Sequence, residues 1–149
     1  MSSSPETAAV LAKELQPGDL LLFRGELGAG KTTFVGWLVA ALKSEARVKS
    51  PTFSLVREYP TARGKFLHLD LYRLKKEEEL TEIGWPDLRE EAFATAIEWP
   101  EKIPAAEITG AWQLYFSRSK EGQRVVEIFT PRGESFQPLP GRLPAQPAF

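Results

Sequence analysis

Eight consecutive residues, Gly25-Glu26-Leu27-Gly28-Ala29-Gly30-Lys31-Thr32, constrain this chain more than any other feature. They satisfy G-x-x-x-x-G-K-[ST], a pattern whose physical demand is a loop with backbone N–H groups turned inward around an anion. Gly28 and Gly30 can adopt positive φ and let the main chain come close to a phosphate, with Ala29 in the same cradle. Before the loop, residues 19–24 hold the apolar run Leu20-Leu21-Leu22-Phe23, too short for an independent helix, which predicts a buried parallel strand. After it, Phe34, Val35, Leu38, Val39 and Leu42 fall at helical spacing over residues 31–43. Strand, glycine loop and helix in that order define a P-loop, with the helix N-terminus facing the anion. Lys31 is expected to reach the β- and γ-phosphates, Thr32 to place its hydroxyl on Mg²⁺, and Thr33 to help hold the α-phosphate.

Such a loop needs a second acid near the end of a neighbouring strand, to hold the metal or orient water. Two segments qualify: Phe66-Leu67-His68-Leu69-Asp70 and Ala94-Thr95-Ala96-Ile97-Glu98 each end an apolar or alternating run on a carboxylate. Asp70 is the expected Mg²⁺ partner, directly or through water, while Glu98 either polarises the attacking water or sits in the second metal shell. Period two places His68, Asp70 and Tyr72 on one face and Leu67, Leu69 and Leu71 on the other. His68 is therefore open to two readings, a structural hydrogen-bond partner or a member of the site. Ser50-Pro51-Thr52 is a rigid turn with two hydroxyls, similar to loops that sense a γ-phosphate, although a plain turn has the same spacing.

Composition narrows the chemistry. With no cysteine and a single histidine, thiolate and two-imidazole metal sites are excluded, so any metal must be bound by oxygen. The chain has no Asn, and hence no Asn-Lys-x-Asp signature of guanine recognition, which favours ATP over GTP. A net charge of −1 offers no global attraction to phosphate polymers, so direct RNA or DNA binding is not expected. No segment is long and apolar enough for a bilayer and residues 1–5 do not begin a signal peptide, which points to a cytoplasmic protein without a membrane partner. Length fits one domain.

Along the chain, residues 7–15 predict a first helix stopped by Pro17-Gly18. Residues 53–59 and 65–71 read as a hairpin whose longer loop is Pro60-Thr61-Ala62-Arg63-Gly64. A helix opening on Glu77, Glu78 and Glu79 ends at Gly84, and residues 86–93 suggest another. Residues 112–117 and 124–130 read as a second hairpin. From Pro131 onward five prolines without apolar period predict an extended tail, giving an ATPase domain over 1–130 and a proline-rich tail over 131–149. Because the two hairpins do not fit an all-parallel sheet, the expected architecture is a three-layer α/β P-loop NTPase-like fold with a mixed, partly antiparallel sheet.

Taken together, GELGAGKTT at residues 25–33, SPTF at 50–53, HLDLYRL at 68–74, EELTEIG at 78–84 and IEWPE at 97–101 resemble the TsaE (YjeE) family. The resemblance covers roughly residues 7–101, in order and with suitable gaps. That family consists of small bacterial ATPases required for making threonylcarbamoyladenosine at position 37 of tRNAs reading codons that begin with A. The resemblance implies partners of the TsaB and TsaD type, with tRNA reached only through the complex. Carried over by motif, it implies phosphate and Mg²⁺ binding at Lys31 and Thr32 with Thr33 in the same cradle, and Asp70 as the acid of HxDLYR. It further implies a switch-like role for Thr52, an acid near the phosphates at Glu98, a ring near the nucleotide at Trp99, and a place beside the nucleotide pocket for Thr7. Glu26 departs from the Asp common in the family, at a position on which the backbone cradle does not depend. Two rival readings of the P-loop remain: a small-molecule kinase, for which Arg89 is a poor lid arginine, and a nucleotide-dependent interaction module with negligible turnover.

Overall fold

The computed structural model describes residues 1–26, 28–44 and 55–137. Its elements in chain order are α1 (Pro5–Glu14), β1 (Asp19–Arg24), α2 (Lys31–Ala41), β2 (Val56–Thr61), β3 (Gly64–Asp70), α3 (Glu77–Ile83), α4 (Trp85–Glu91), β4 (Ala94–Glu98), β5 (Trp112–Arg118) and β6 (Arg124–Phe129). Among the described residues the strands form one six-stranded sheet in the order β2-β3-β4-β1-β5-β6. The four inner strands run parallel, and each edge is closed by an antiparallel hairpin partner. This is the three-layer α/β arrangement with a mixed sheet expected from the two hairpins.

Strand alternation divides the core in two. On one face Leu21, Phe23, Phe66, Ala94, Ala96 and Leu114 meet Leu11 and Leu15 at α1 and Phe34, Val35 and Leu38 of α2. On the other, Leu20, Leu22, Leu67, Leu69 and Ile97 meet Leu80 of α3 and Trp85 of α4. β1 and β4 are buried along most of their length because helices cover both faces there, which is why their sequences are apolar runs rather than alternations. Ser4 caps α1 by accepting from the Thr7 N–H at 3.2 Å, which extends the first helix two residues beyond its apolar pattern and contributes about 1 kcal/mol.

The first hairpin is tighter than its sequence suggests. β2 runs through Pro60 to Thr61, which pairs with Gly64, so only Ala62 and Arg63 form the turn. Pro60 was expected to sit in a longer loop, but β2 is an edge strand, and an edge position facing away from its partner needs no N–H. The second hairpin pairs Gln113 with Phe129 through Arg118 with Arg124, as expected. After β6 the chain turns and the Phe136 N–H donates to Ile128 O at 2.8 Å, while its ring packs edge-on to Trp112 at 5.4 Å. The first residues of the expected tail thus return to the sheet, and residues 138–149 lie outside the described residues.

Three rings lock the floor beneath the glycine loop. Phe23 at the end of β1 stacks on Phe116 of β5 at 5.3 Å, and Phe34 of α2 meets the edges of both, at 6.0 and 5.4 Å. Each such pair contributes about 0.5–1.5 kcal/mol beyond area burial. Gly25 leaves this floor at φ 145°, where an added Cβ would stand 2.6 Å from the Phe116 carbonyl oxygen. Backbone cannot yield as a side-chain tip can, so Gly25→Ala is expected to destabilise the protein by about 2–4 kcal/mol, read as a fall in Tm. An unchanged Tm would show that β5 does not hold the loop.

Candidate functional site

The parallel order places the C-terminal ends of β1, β4 and β3 side by side. Register puts Phe23 beside Glu98 and Glu98 beside Asp70, so both acids emerge next to the loop that follows β1. That edge is where open α/β sheets receive ligands.

Gly28 and Gly30 take φ of 79° and 97°, conformations that glycine adopts without strain. Gly30 is also the N-cap of α2, with no side chain bonded across the helix end. The first N–H groups of α2 therefore point into the cradle without intrahelical partners, supplying donors to an anion. Thr33 is exposed in that first turn, and Ala29 closes the bend with a buried methyl and an N–H donated to Glu26 O at 3.1 Å.

Lys31 is only 4% exposed. Its ammonium donates to Gly25 O at 2.5 Å and lies over the Trp99 ring at 4.1 Å. Burial holds its pKa below the usual lysine range, opposed by the carboxylates of Glu98, Asp70 and Glu101. The loop lysine is thus a desolvated cation facing two strand-end acids, a setting that favours an arriving anion.

Thr32 donates its hydroxyl proton to Glu98 Oε2 at 2.9 Å. The same oxygen meets His68 Nε2 at 2.6 Å, and both His68 and Glu98 are buried. Thr32, the residue expected to share a metal with Asp70, is therefore bonded to Glu98 on the strand next to β1. Asp70 lies one strand farther out on the same face, its Oδ1 accepting the Tyr72 N–H at 3.1 Å. Strand order decides this, since β4 is inserted between β3 and β1. Trp99 follows Glu98 with φ 62°, unusual for a bulky residue, and its ring packs against Tyr72 at 5.1 Å. That strained corner brings the indole over the Lys31 ammonium.

The donor set suits a hard cation that keeps several waters. Thr32 bonds Glu98 through its proton, leaving lone pairs for a metal, and Asp70 adds a carboxylate on the same face. No group of three or more His, Cys, Asp or Glu side chains able to hold a metal occurs among the described residues.

Two cations reach the loop from the other side. Arg118 donates to Gly28 O at 3.0 Å, and the Arg124 side chain rests on Gly30, where an added Cβ would meet its Cδ at 3.0 Å. The two arginines are directly opposed across β5 and β6, a like-charge pair that destabilises a hairpin by itself. Sequence spacing gave no sign of them, because they reach the loop only when the hairpin folds beside β1. The N-terminal segment joins the same neighbourhood: Ser2 bridges to Val125 and the Ser3 N–H donates to Arg124 O at 3.1 Å. Thr7, in the first turn of α1 behind that segment, donates its hydroxyl to Ser2 O at 2.8 Å and meets Ser4 Oγ at 3.1 Å. The switch-like residue Thr52 lies outside the described residues.

Comparison with known proteins agrees with the motif order. The family model for "Threonylcarbamoyl adenosine biosynthesis protein TsaE" matches residues 2–126. A tRNA threonylcarbamoyladenosine biosynthesis protein TsaE of Aquifex aeolicus is 42% identical over 124 residues, which is 82% of this chain and 85% of that protein. Its counterpart from Nostoc sp. is 38% identical over 122 residues, 80% of this chain and 75% of that protein. The crystal structure of Bacillus subtilis YdiB superposes with a TM-score of 0.62 at 26% identity, covering 83% of this chain and 78% of that one. Among the described residues no helix is long and apolar enough to cross a membrane.

Proposed function

The chain belongs to the TsaE family of tRNA threonylcarbamoyladenosine biosynthesis, and from that membership we propose that it is the ATP-binding and ATP-hydrolysing subunit of that machinery, working with Mg²⁺. The observation that carries this reading is the Thr32–Glu98 bond at the N-terminus of α2, beside a buried Lys31. It brings a strand-end acid to the loop that carries the cation for phosphate and the hydroxyl for the metal.

In this reading the N–H groups opening α2 bind the phosphates, and Lys31 exchanges its contact with Gly25 O for the β- and γ-phosphate oxygens. Thr32 turns its lone pairs toward the metal while Glu98 holds its proton, and Asp70 orients water beside it. The Thr32 hydroxyl, with Asp70 beside it, would hold Mg²⁺, which would supply positive charge to offset the charge that builds during transfer to water. Trp99 covers Lys31 and keeps bulk water from the ammonium. The chain's net charge of −1 favours a role in which partners of the TsaB and TsaD type handle the tRNA and this subunit supplies nucleotide-driven work.

Arg118 and Arg124 are placed to add charge-assisted bonds to the nucleotide. Each such bond contributes about 1.5–3 kcal/mol, so Arg118→Ala and Arg124→Ala are each expected to weaken ATP binding by on the order of ten- to a hundredfold. Their like-charge opposition predicts an unchanged or slightly raised Tm. Calorimetric titration with ATP checks this, and unaltered affinity in both variants would remove them from the site.

The function itself is tested by phosphate release from MgATP, with the chain alone, with small hydroxyl acceptors, and with the two partner proteins. Turnover that rises with the partners and not with acceptors supports the proposal. Phosphate appearing on an acceptor would instead identify a kinase, and MgATP binding without release in any mixture would identify an interaction module.

A further inference from the structure

Glu98 Oε2 receives two donors, Thr32 Oγ1 at 2.9 Å and His68 Nε2 at 2.6 Å. His68 is 0% exposed, so the histidine end of this row is closed to solvent. β3 register sets His68 opposite Ala96, two residues before Glu98 on the same face of β4, where a methyl leaves room for the ring to reach the carboxylate. A carboxylate oxygen only accepts, so the proton of this contact is on Nε2. His68 Nδ1 is buried and has no hydrogen-bond partner among the described residues. An apolar residue of similar size would fill the position without that unsatisfied atom, so burial by itself does not account for an imidazole here. Among the described residues, the ring's one hydrogen bond is to the acid that holds the loop threonine.

We propose that His68 is a positioning residue of the nucleotide site: its Nε2–H fixes Glu98 so that the carboxylate accepts from the Thr32 hydroxyl and directs the threonine lone pairs toward the metal position. This rests on reading the loop as a Mg²⁺-nucleotide site, and adds to it a residue that touches neither ligand. Without the donor, the Glu98 carboxylate is free to rotate and Thr32 loses its fixed acceptor. Affinity for the metal falls, while contacts between phosphates and backbone N–H groups are untouched.

The two amide substitutions of His68 separate position from polarity. His68→Gln places an amide N–H about where Nε2 sits, whereas His68→Asn reaches only as far as Nδ1. ATP affinity is measured by titration calorimetry with Mg²⁺ and again with a chelator, for each variant and for the unsubstituted protein. The expected result is that His68→Asn lowers the Mg²⁺ enhancement of ATP affinity by on the order of ten- to a hundredfold, the range seen for residues that orient metal ligands. Affinity without Mg²⁺ stays the same, and His68→Gln retains most of the enhancement. In a Glu98→Gln background His68→Asn adds little, because both changes act through one carboxylate.

Equal Mg²⁺ enhancement in the Asn and Gln variants overturns the proposal. So does an equal loss of affinity with and without Mg²⁺, which marks a structural role. If His68→Asn does not fold, Glu98→Gln decides: a full Mg²⁺ effect there leaves nothing for His68 to position. An unsubstituted protein that binds no ATP, or binds it indifferently to Mg²⁺, overturns the nucleotide-site reading and this inference with it. A normal Mg²⁺ effect in the unsubstituted protein that persists in His68→Asn overturns this inference alone.

Discussion

Lys31→Met is expected to cut ATP turnover by on the order of 10²–10³-fold while leaving the free protein's Tm unchanged or higher. The two effects come from one cause. Lys31 is buried, and desolvation holds its pKa below the ordinary lysine value despite three carboxylates nearby. A lysine whose folded-state pKa is depressed binds its proton less tightly in the folded chain than in the unfolded one. Its cost to stability is therefore fully present below the folded-state pKa, and is relieved as pH rises through that value toward the unfolded one. The free protein should gain stability from this group as the solution becomes alkaline, and that gain should vanish in Lys31→Met. Methionine keeps most of the side-chain volume and removes the charge, so the variant separates the ammonium's role from packing. Thermal melts across alkaline pH, set beside turnover, check both halves. A large loss of Tm with normal turnover would mean that the ammonium serves the fold rather than the phosphates.

The second large effect belongs to Glu98. Glu98→Gln should lower turnover by on the order of 10²-fold, with a smaller change in ATP affinity measured without metal. The carboxylate accepts from both Thr32 and His68, and an amide of the same shape has one acceptor oxygen and no charge. Both donors meet the same oxygen, Oε2, so the amide keeps them only with its own oxygen at that position, and it then lacks the negative charge that strengthens both bonds. Asp70 accepts the Tyr72 N–H and lies in register beside Glu98, so it does not replace Glu98 at Thr32 without moving β3. Phosphate release under saturating MgATP reads the result. Wild-type rates in Glu98→Gln would return the metal-side role to Asp70.

How legible the site was in the sequence follows the distance over which its parts interact. The phosphate loop is a contiguous run whose glycines, strand and helix are all local, and residues 25–33 are enough to specify it. Strand-end acids were visible for a similar reason, since period two exposes Asp70 and Glu98 at the ends of apolar segments. Which acid meets Thr32 was not visible, because it depends on β4 being inserted between β1 and β3, a fact of sheet order. Arg118 and Arg124 were hidden for the same reason, 90 residues separating Arg118 from the Gly28 carbonyl it binds. Alternation gives the face of His68 but not its partner, so the sequence alone admits both a structural and a site role for it. Pro60 misled locally, since a proline usually interrupts a strand and only the edge position of β2 lets the pairing continue. Gly25 shows the reverse: its glycine was plain in the motif, and its packing reason, the Phe116 carbonyl, appears only once β5 lies beside β1.

The central claim is that Lys31, Thr32 and Glu98 form one MgATP site whose turnover serves a partner complex. Its most direct test is phosphate release from MgATP by the unsubstituted chain and by Lys31→Met, each alone and with the TsaB- and TsaD-type partners. The account predicts release that rises with the partners in the unsubstituted protein and is lost in both settings in the variant. Full turnover retained by Lys31→Met would contradict it.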